Sequence, residues 1–442
     1  MSWKARVCGL VCLALIGASG AAMAQNETLP RFDENFYRNA GGGPNDTIPP
    51  GTRITLQNWQ TYRKFMPLGM QLLLEGKSPF KAPADFEMVI GPTASYPLPR
   101  KYRDDTEKYS RQVQLVQLPT GGYTVKGYKA GLPFPNPEGP QAGVELLYDN
   151  YYDYQPYTSA INVKALYYDR FLSQTENSTT CVHFKTNHIS DPGKPITIPG
   201  FEDIYLTENC EVMAPEQSKY TTVLQVFYDD PARVAENYVF VPSLRRSLRL
   251  SAAARCAPFA GGDFTNDDFR NGMNVQPPLF RSRYLGTRKF LAAVFTDDSY
   301  LDAKNVWLPT MLPKPSTVKW QLRDMYIFDN RRVPSLNQGY CYGDRVIYLD
   351  KEQVGPVWLD LYDRDMKFWK FYENFYKITR IPESGEMAFG SGTTAGIYNM
   401  VDFQDEHESV TWIRSWFAGD VPGEYRDYNR WATPSGLSTI MR

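Results

Sequence analysis

Residues 243–272 read SLRRSLRLSAAARCAPFAGGDFTNDDFRNG, and they combine three arginines within five residues, a cysteine and a cluster of acids. Arg245, Arg246 and Arg249 could contact phosphates, Cys256 could ligate or crosslink, and Asp263, Thr265, Asn266, Asp267 and Asp268 could supply oxygen ligands to a cation. Each chemistry has a competing reading. No glutamate follows the acids at EF-hand distance, and Asp and Asn favour turns for local reasons, so a turn is expected and no metal site. Leu244, Leu248, Leu250 and Ala252 share one parity, while Arg245, Ser247, Arg249 and Ser251 share the other. That is a half-buried strand with basic residues on its wet side. Arg246 alone falls on the dry side.

A second stretch mirrors it. In TVKWQLRDMYIFDN, Val318, Trp320, Leu322, Tyr326 and Phe328 line one face, and Asp324 interrupts them. A buried charge is costly unless paired. The expectation is that Arg246 pairs with Asp324 inside the sheet or meets the anionic head of a ligand, with Trp320, Tyr326 and Phe328 as the apolar lining. A bulge in either strand would instead turn the charge to water.

Catalytic patterns are scarce. The three histidines are His183, His188 and His407, and no H-E-x-x-H motif occurs. The sequence FGSGTT around Ser391 lacks the first glycine of a nucleophile elbow. No phosphate-binding G-x-x-x-x-G-K-[ST] loop is present. These absences favour a non-enzymatic protein without a cofactor. Carboxylates are numerous, and an uncharacterised hydrolase is the lesser alternative.

The elements that must carry these residues follow from pattern. Lys4 and Arg6, an apolar core from Cys8 to Ile16, and the small-x-small triplet Ala22-Met23-Ala24 read as a cleaved signal peptide over residues 1–24. Removing Lys4 and Arg6 moves the formal charge from -1 to -3, too neutral for charge-driven nucleic-acid binding. Four cysteines remain: Cys181, Cys210, Cys256 and Cys341. In an oxidising compartment they allow two disulfides in three pairings, and joining sequence neighbours gives Cys181–Cys210 and Cys256–Cys341.

Residues 25–53, rich in Gly, Pro and Asn, read as an exposed arm, and 54–111 as mainly helical. One helix is expected from Thr55 to Gly76, kinked at Pro67, and another over 99–113. From residue 112 to 442, strand-length runs rich in Val, Tyr, Phe and Ile predominate, GVELLYDNYYDY among them. The expected fold is β-rich α+β: one elaborated domain over 25–442, built on a strongly curved antiparallel sheet with helices against one face. Tyr128 to Gly143, with Pro135 and Pro137 flanking Phe134, reads as a structural loop over the core. The runs are too short and Pro-interrupted for an outer-membrane barrel.

The segments GTRITLQNWQTYRKFMPLGM, PRKYRDDTEKYSRQVQLV, YKAGLPFPNP, VPSLRRSLRLS, DFTNDDFRNG, YCYGDRVIYLDKE and VWLDLYDRDMKFWKFY occur in this order. In them the chain resembles domain-of-unknown-function family 1329, exported proteins of Gram-negative bacteria. The resemblance implies a fold similar to the periplasmic lipoprotein carriers of the LolA and LolB type: an incomplete barrel whose apolar hollow is plugged by helices. It also implies a hydrophobic or lipid-like ligand moving between inner and outer membrane, with a resistance-nodulation-division exporter and an outer-membrane protein as partners. On this reading Arg246 orients a polar head and the helix from Thr55 to Gly76 is a lid. The alternative is an accessory subunit of an envelope complex whose hollow is filled by its own side chains.

Overall fold

The computed structural model describes residues 29–186, 198–310, 312–381, 385–389 and 395–441. The signal-peptide segment, His188 and Ser391 lie outside the described residues. Period-two alternation from residue 158 onward produces thirteen strands of one sheet. In chain order they are β1 (Thr158–Tyr168), β2 (Gln174–Lys185), β3 (Ile204–Ala214), β4 (Thr222–Tyr228), β5 (Glu236–Val241), β6 (Arg246–Arg249), β7 (Phe280–Phe295), β8 (Val318–Arg332), β9 (Asp344–Asp350), β10 (Pro356–Tyr362), β11 (Phe368–Lys377), β12 (Ala395–Asp402) and β13 (His407–Ala418). The sheet order is β6-β5-β4-β3-β2-β1-β13-β12-β11-β7-β8-β9-β10, with β10 also folding back onto β11. Among these strands every pairing is antiparallel except a short parallel contact between β7 and β11. β6 leaves one edge open, so the sheet does not close into a barrel.

Among the described residues, four helices precede the sheet: α1 (Glu34–Asn39), α2 (Leu68–Leu74), α3 (Arg100–Tyr109) and α4 (Ala142–Tyr151). The run GVELLYDNYYDY, expected as a strand, is α4. Its Val144, Leu147, Tyr148 and Tyr151 repeat at helical spacing and are buried. Gly143 starts the helix hard against Ser282 and Arg283 of β7, where a Cβ would lie 2.6 Å from backbone. The other end of α4 places Tyr151 against Tyr205 of β3, ring centroids 5.5 Å apart. β3 and β7 are six strand steps apart in the sheet, about 29 Å if it were flat. A ten-residue helix is only about 15 Å long, so the sheet curls around α4. This face is the concave one.

The opposite face packs on residues 29–90. Trp358, Phe371, Phe375, Val401 and Trp412 share one buried cluster there with Tyr37, Trp59, Phe65, Met70 and Leu72. The segment read as an exposed arm is therefore fixed to the sheet from residue 29 on. Tyr37 is fully buried and donates to Asp360 Oδ2 at 3.0 Å, and the Gly69 amide donates to Oδ1 at 2.9 Å. Burial pushes the Asp360 carboxyl up to about 6. The single helix expected from Thr55 to Gly76 is also revised. Thr55 ends a short strand paired with Glu87–Val89, Trp59–Phe65 is a 3₁₀ turn, and α2 begins only after Pro67. Proline denies an amide to the preceding turn, so the break falls where the kink was expected.

A covered cavity on the concave face

On the concave face the side chains of Ile161, Val163, Ala165 and Tyr167 alternate along β1 and form the floor of a cavity of about 140 Å³. Neighbouring strands extend it with Tyr372, Tyr398, Thr411 and Ile413. Cys181 and Cys210 face each other across β2 and β3, and their disulfide is part of this wall. The second disulfide joins Cys256 to Cys341, so both expected pairings are present.

The roof comes from the stretch rich in arginines and acids. After Cys256 the chain crosses the concave face and sets Phe259, Phe264 and Phe269 over the floor. Phe264 meets Tyr372 and Tyr398 edge-on at 5.6 and 5.5 Å, and Phe259 meets Phe269 at 5.2 Å. Such contacts contribute beyond their buried area. The acids lie in turns, as expected, with a 3₁₀ turn over Asn266–Asp268, but they are buried here, and each has a protein partner. Asp267 binds the Arg255 guanidinium and accepts from Tyr340 Oη at 2.8 Å. Arg255 in turn donates to Asn237 of β5 at 3.2 Å. Asp268 lies 3.0 Å from Arg345 Nη1 and accepts from Tyr342 Oη at 2.8 Å. Asp263 accepts from Ser409 Oγ at 2.7 Å, and burial raises its carboxyl above the usual range. No group of three or more metal-ligating side chains occurs among the described residues. The cluster is thus an anchor: buried carboxylates are tolerated only when paired, and these pairs bolt the roof to β5, β9 and the loop before β9.

The polar rim completes the site. His183 Nε2 lies 3.3 Å from Glu208 Oε1, and Asn274 Nδ2 donates to Glu208 Oε2 at 3.0 Å. Arg270, in the left-handed region at φ 49°, turns its side chain inward to 4 % exposure. It donates to the Tyr151 carbonyl at 3.1 Å and to Asp153 at 3.2 Å, tying the roof to the end of α4. Burial alone would lower its pKa, and Asp153 with the nearby tyrosines outweighs that, so the guanidinium stays charged.

The residues expected to bind ligand lie elsewhere. Arg246 is exposed on edge strand β6, and Asp324 is exposed on β8, ten strand steps away. They do not pair. The alternation read from Leu244 fails because Pro242–Leu244 is a 3₁₀ turn followed by Arg245 at φ 50°, so the strand starts only at Arg246. Trp320 is fully buried in the opposite-face cluster, stacked on Trp358 at 6.1 Å. Phe328 is buried beside Ile347 and Leu361, and Tyr326 is half-buried next to that cluster. None of the five lines the cavity. α2 packs on the opposite face, so it is not the roof. The overlooked signal is TSAINVKALYY, where Ile161, Val163 and Ala165 alternate with Asn162 and Lys164 and form the floor.

Residues 53–415 match the family described as protein of unknown function, DUF1329. The chain belongs to the DUF1329 family. A DUF1329 protein from Desulfovibrio piger is 13% identical, with 66% of this chain and 98% of that chain covered at a TM-score of 0.45. A LolA superfamily protein from Nitrosomonas europaea is 12% identical, with 65% and 96% covered at a TM-score of 0.39. A comparison with curated proteins finds no match.

Proposed function

We propose that this DUF1329 protein is a periplasmic carrier that holds a hydrophobic, lipid-like molecule on the concave face of its sheet. One observation carries the reading: an apolar cavity between the β1 floor and a phenylalanine roof, rimmed by a few fixed polar groups. That composition is the usual one for a small-molecule site. At about 140 Å³ the space suits a benzene-sized group, so a full acyl chain extends beyond it or displaces the roof. The turn at residues 258–262 is the part suited to move. It carries Phe259, contains Ala260 and Gly261 in left-handed conformations, and precedes the buried acids that hold the rest. Two disulfides support a life in an oxidising compartment, and no helix among the described residues is long and apolar enough to cross a membrane. The reading is non-enzymatic. A resistance-nodulation-division exporter and an outer-membrane protein enter it as partners through the sequence resemblance.

Native mass spectrometry of the protein taken from periplasm, before and after solvent extraction, tests this. A bound mass that extraction removes and that is identified as a lipid or acyl compound is the expected result. A chain that is empty as isolated, and takes up no acyl compound when offered one, supports the accessory-subunit alternative instead.

A further inference from the structure

The floor strand leads to an unusual end. β1 and β2 are joined by residues 169–173, and this turn presents Phe171 at 74% and Leu172 at 55% exposure. They are the two adjacent members among the exposed large apolar residues. The turn is built rather than loose. The Asp169 carboxylate accepts from the amides of Phe171 and Ser173 at 2.8 and 2.9 Å, and the Leu172 amide donates to the Asp169 carbonyl at 2.8 Å. Leu172 sits at φ 61°, a conformation that a β-carbon resists and that the hydrogen-bonded turn imposes. The side chains are thereby held outward. The Arg170 guanidinium stands 4.9 Å from the Phe171 ring centroid and 3.7 Å from Glu406.

We propose that this tip is a bilayer-docking element, inserting Phe171 and Leu172 into the interfacial region of a phospholipid membrane. Its role in transfer rests on the carrier reading above. Size selects the occupant. A stable protein interface buries about 800 Å² on each partner, whereas one aromatic and one aliphatic side chain offer about half of that at most. A bilayer accepts so small a wedge, with the aromatic ring at headgroup level and the arginine stem reaching back to water. Position supports it too. Tyr167, the last floor residue, is four residues from Phe171, a path of at most about 14 Å, so the apolar track of the cavity runs toward the docking point. Charge refines it. Asp169 and Arg170, with Glu406 beside Arg170, leave the tip without a positive excess, so neutral phospholipid suffices and the binding is insensitive to salt.

The test is co-flotation of the mature chain with phosphatidylcholine–phosphatidylethanolamine vesicles at low and high salt. Wild type is expected to float at both. The double variant Phe171→Ser with Leu172→Ser is expected to partition about tenfold more weakly or worse. Phe171→Trp keeps the wedge and gives a second readout, a blue-shifted emission on vesicle addition. Wild type that does not float, a double variant that floats equally, loss of flotation in high salt, or an unshifted tryptophan would each overturn the proposal. Uptake of an acyl dye in solution is read in parallel. The double variant retains it, so a docking failure with uptake intact refutes the tip alone, and absent uptake in wild type refutes the carrier reading.

Discussion

Arg345 is the bolt of the cavity roof, and removing it measures what holds the roof shut. Its side chain is fully buried, 3.0 Å from Asp268 Oδ1, donating to the Gly272 carbonyl at 3.0 Å and lying 4.2 Å from the Tyr342 ring centroid. Arg345→Met fills much of the same volume but leaves Asp268 without its cation and Gly272 without a donor. Breaking a buried pair from one side costs about 3–5 kcal/mol, most of it from the stranded charge. Neutralising that charge should recover part of the loss. Arg345→Met combined with Asp268→Asn is therefore expected to be more stable than Arg345→Met alone, because the asparagine amide keeps an acceptor for Tyr342 and Thr265. Urea unfolding of the wild type, both single variants and the double variant measures the cycle. Hydrogen exchange of residues 263–276 localises it, with faster exchange expected there first. A loss below about 1 kcal/mol in Arg345→Met, or a double variant no better than that single variant, would refute the idea that paired acids anchor the roof.

Glu373 predicts a pH dependence. It is fully buried, accepts from Asn399 Nδ2 at 2.9 Å, and burial raises its carboxyl to about 8. The unfolded chain ionises it near its ordinary value and the folded chain only near 8. Its contribution is therefore complete below about pH 4.5 and lost as pH rises toward 8, by up to about 1.4 kcal/mol per pH unit. Glu373→Gln should remove this component, so its stability relative to wild type should rise by about 3 kcal/mol between pH 5 and 8 in parallel urea titrations. Replacing Cys256 and Cys341 by serine opens a loop of sequence separation 85 and should cost about 4–5 kcal/mol, more than removing Cys181–Cys210 at separation 29. The same variant should admit an acyl dye faster, measured by stopped flow, because the roof loses its covalent tether. Gly262→Val should slow dye entry, since a Cβ there would lie 2.6 Å from the ring of Tyr167 and press on that floor residue.

The fold was largely legible and the site was not, for the same reason. Alternation marks a strand well, so runs such as DRVIYLD and TTVLQVFYDD appear as β9 and β4. The pairing of cysteine neighbours also follows once β2 and β3 form a hairpin. Alternation does not say which of two buried faces carries a cavity. In this sheet both faces are covered, so Trp320 and Phe328 look equally like lining and are packed core on different sides. Local turn geometry is likewise silent in sequence: Arg245 at positive φ breaks the register that made Arg246 seem dry. The acids of DFTNDDFRNG match a turn by composition. Only the fold supplies Arg255, Arg345, Tyr340 and Tyr342, which lie 12 to 77 positions from the acids they meet and let those acids be buried. Of the arm expected to be exposed at 25–53, the described part from residue 29 on is pinned to the sheet, because Gly and Pro report backbone freedom and say nothing of Tyr37 reaching Asp360.

Whether the concave cavity holds the cargo is decided by the binding of a solvatochromic acyl dye to wild type and to Ala165→Trp. Ala165 lies in the middle of the floor, between Thr411 and Asn177 on the flanking strands, and an indole there fills the space under Phe264 and Phe269. Saturable binding of one dye per wild-type chain is expected, and none in a folded Ala165→Trp protein. Equal binding by both proteins would place the cargo somewhere other than this cavity.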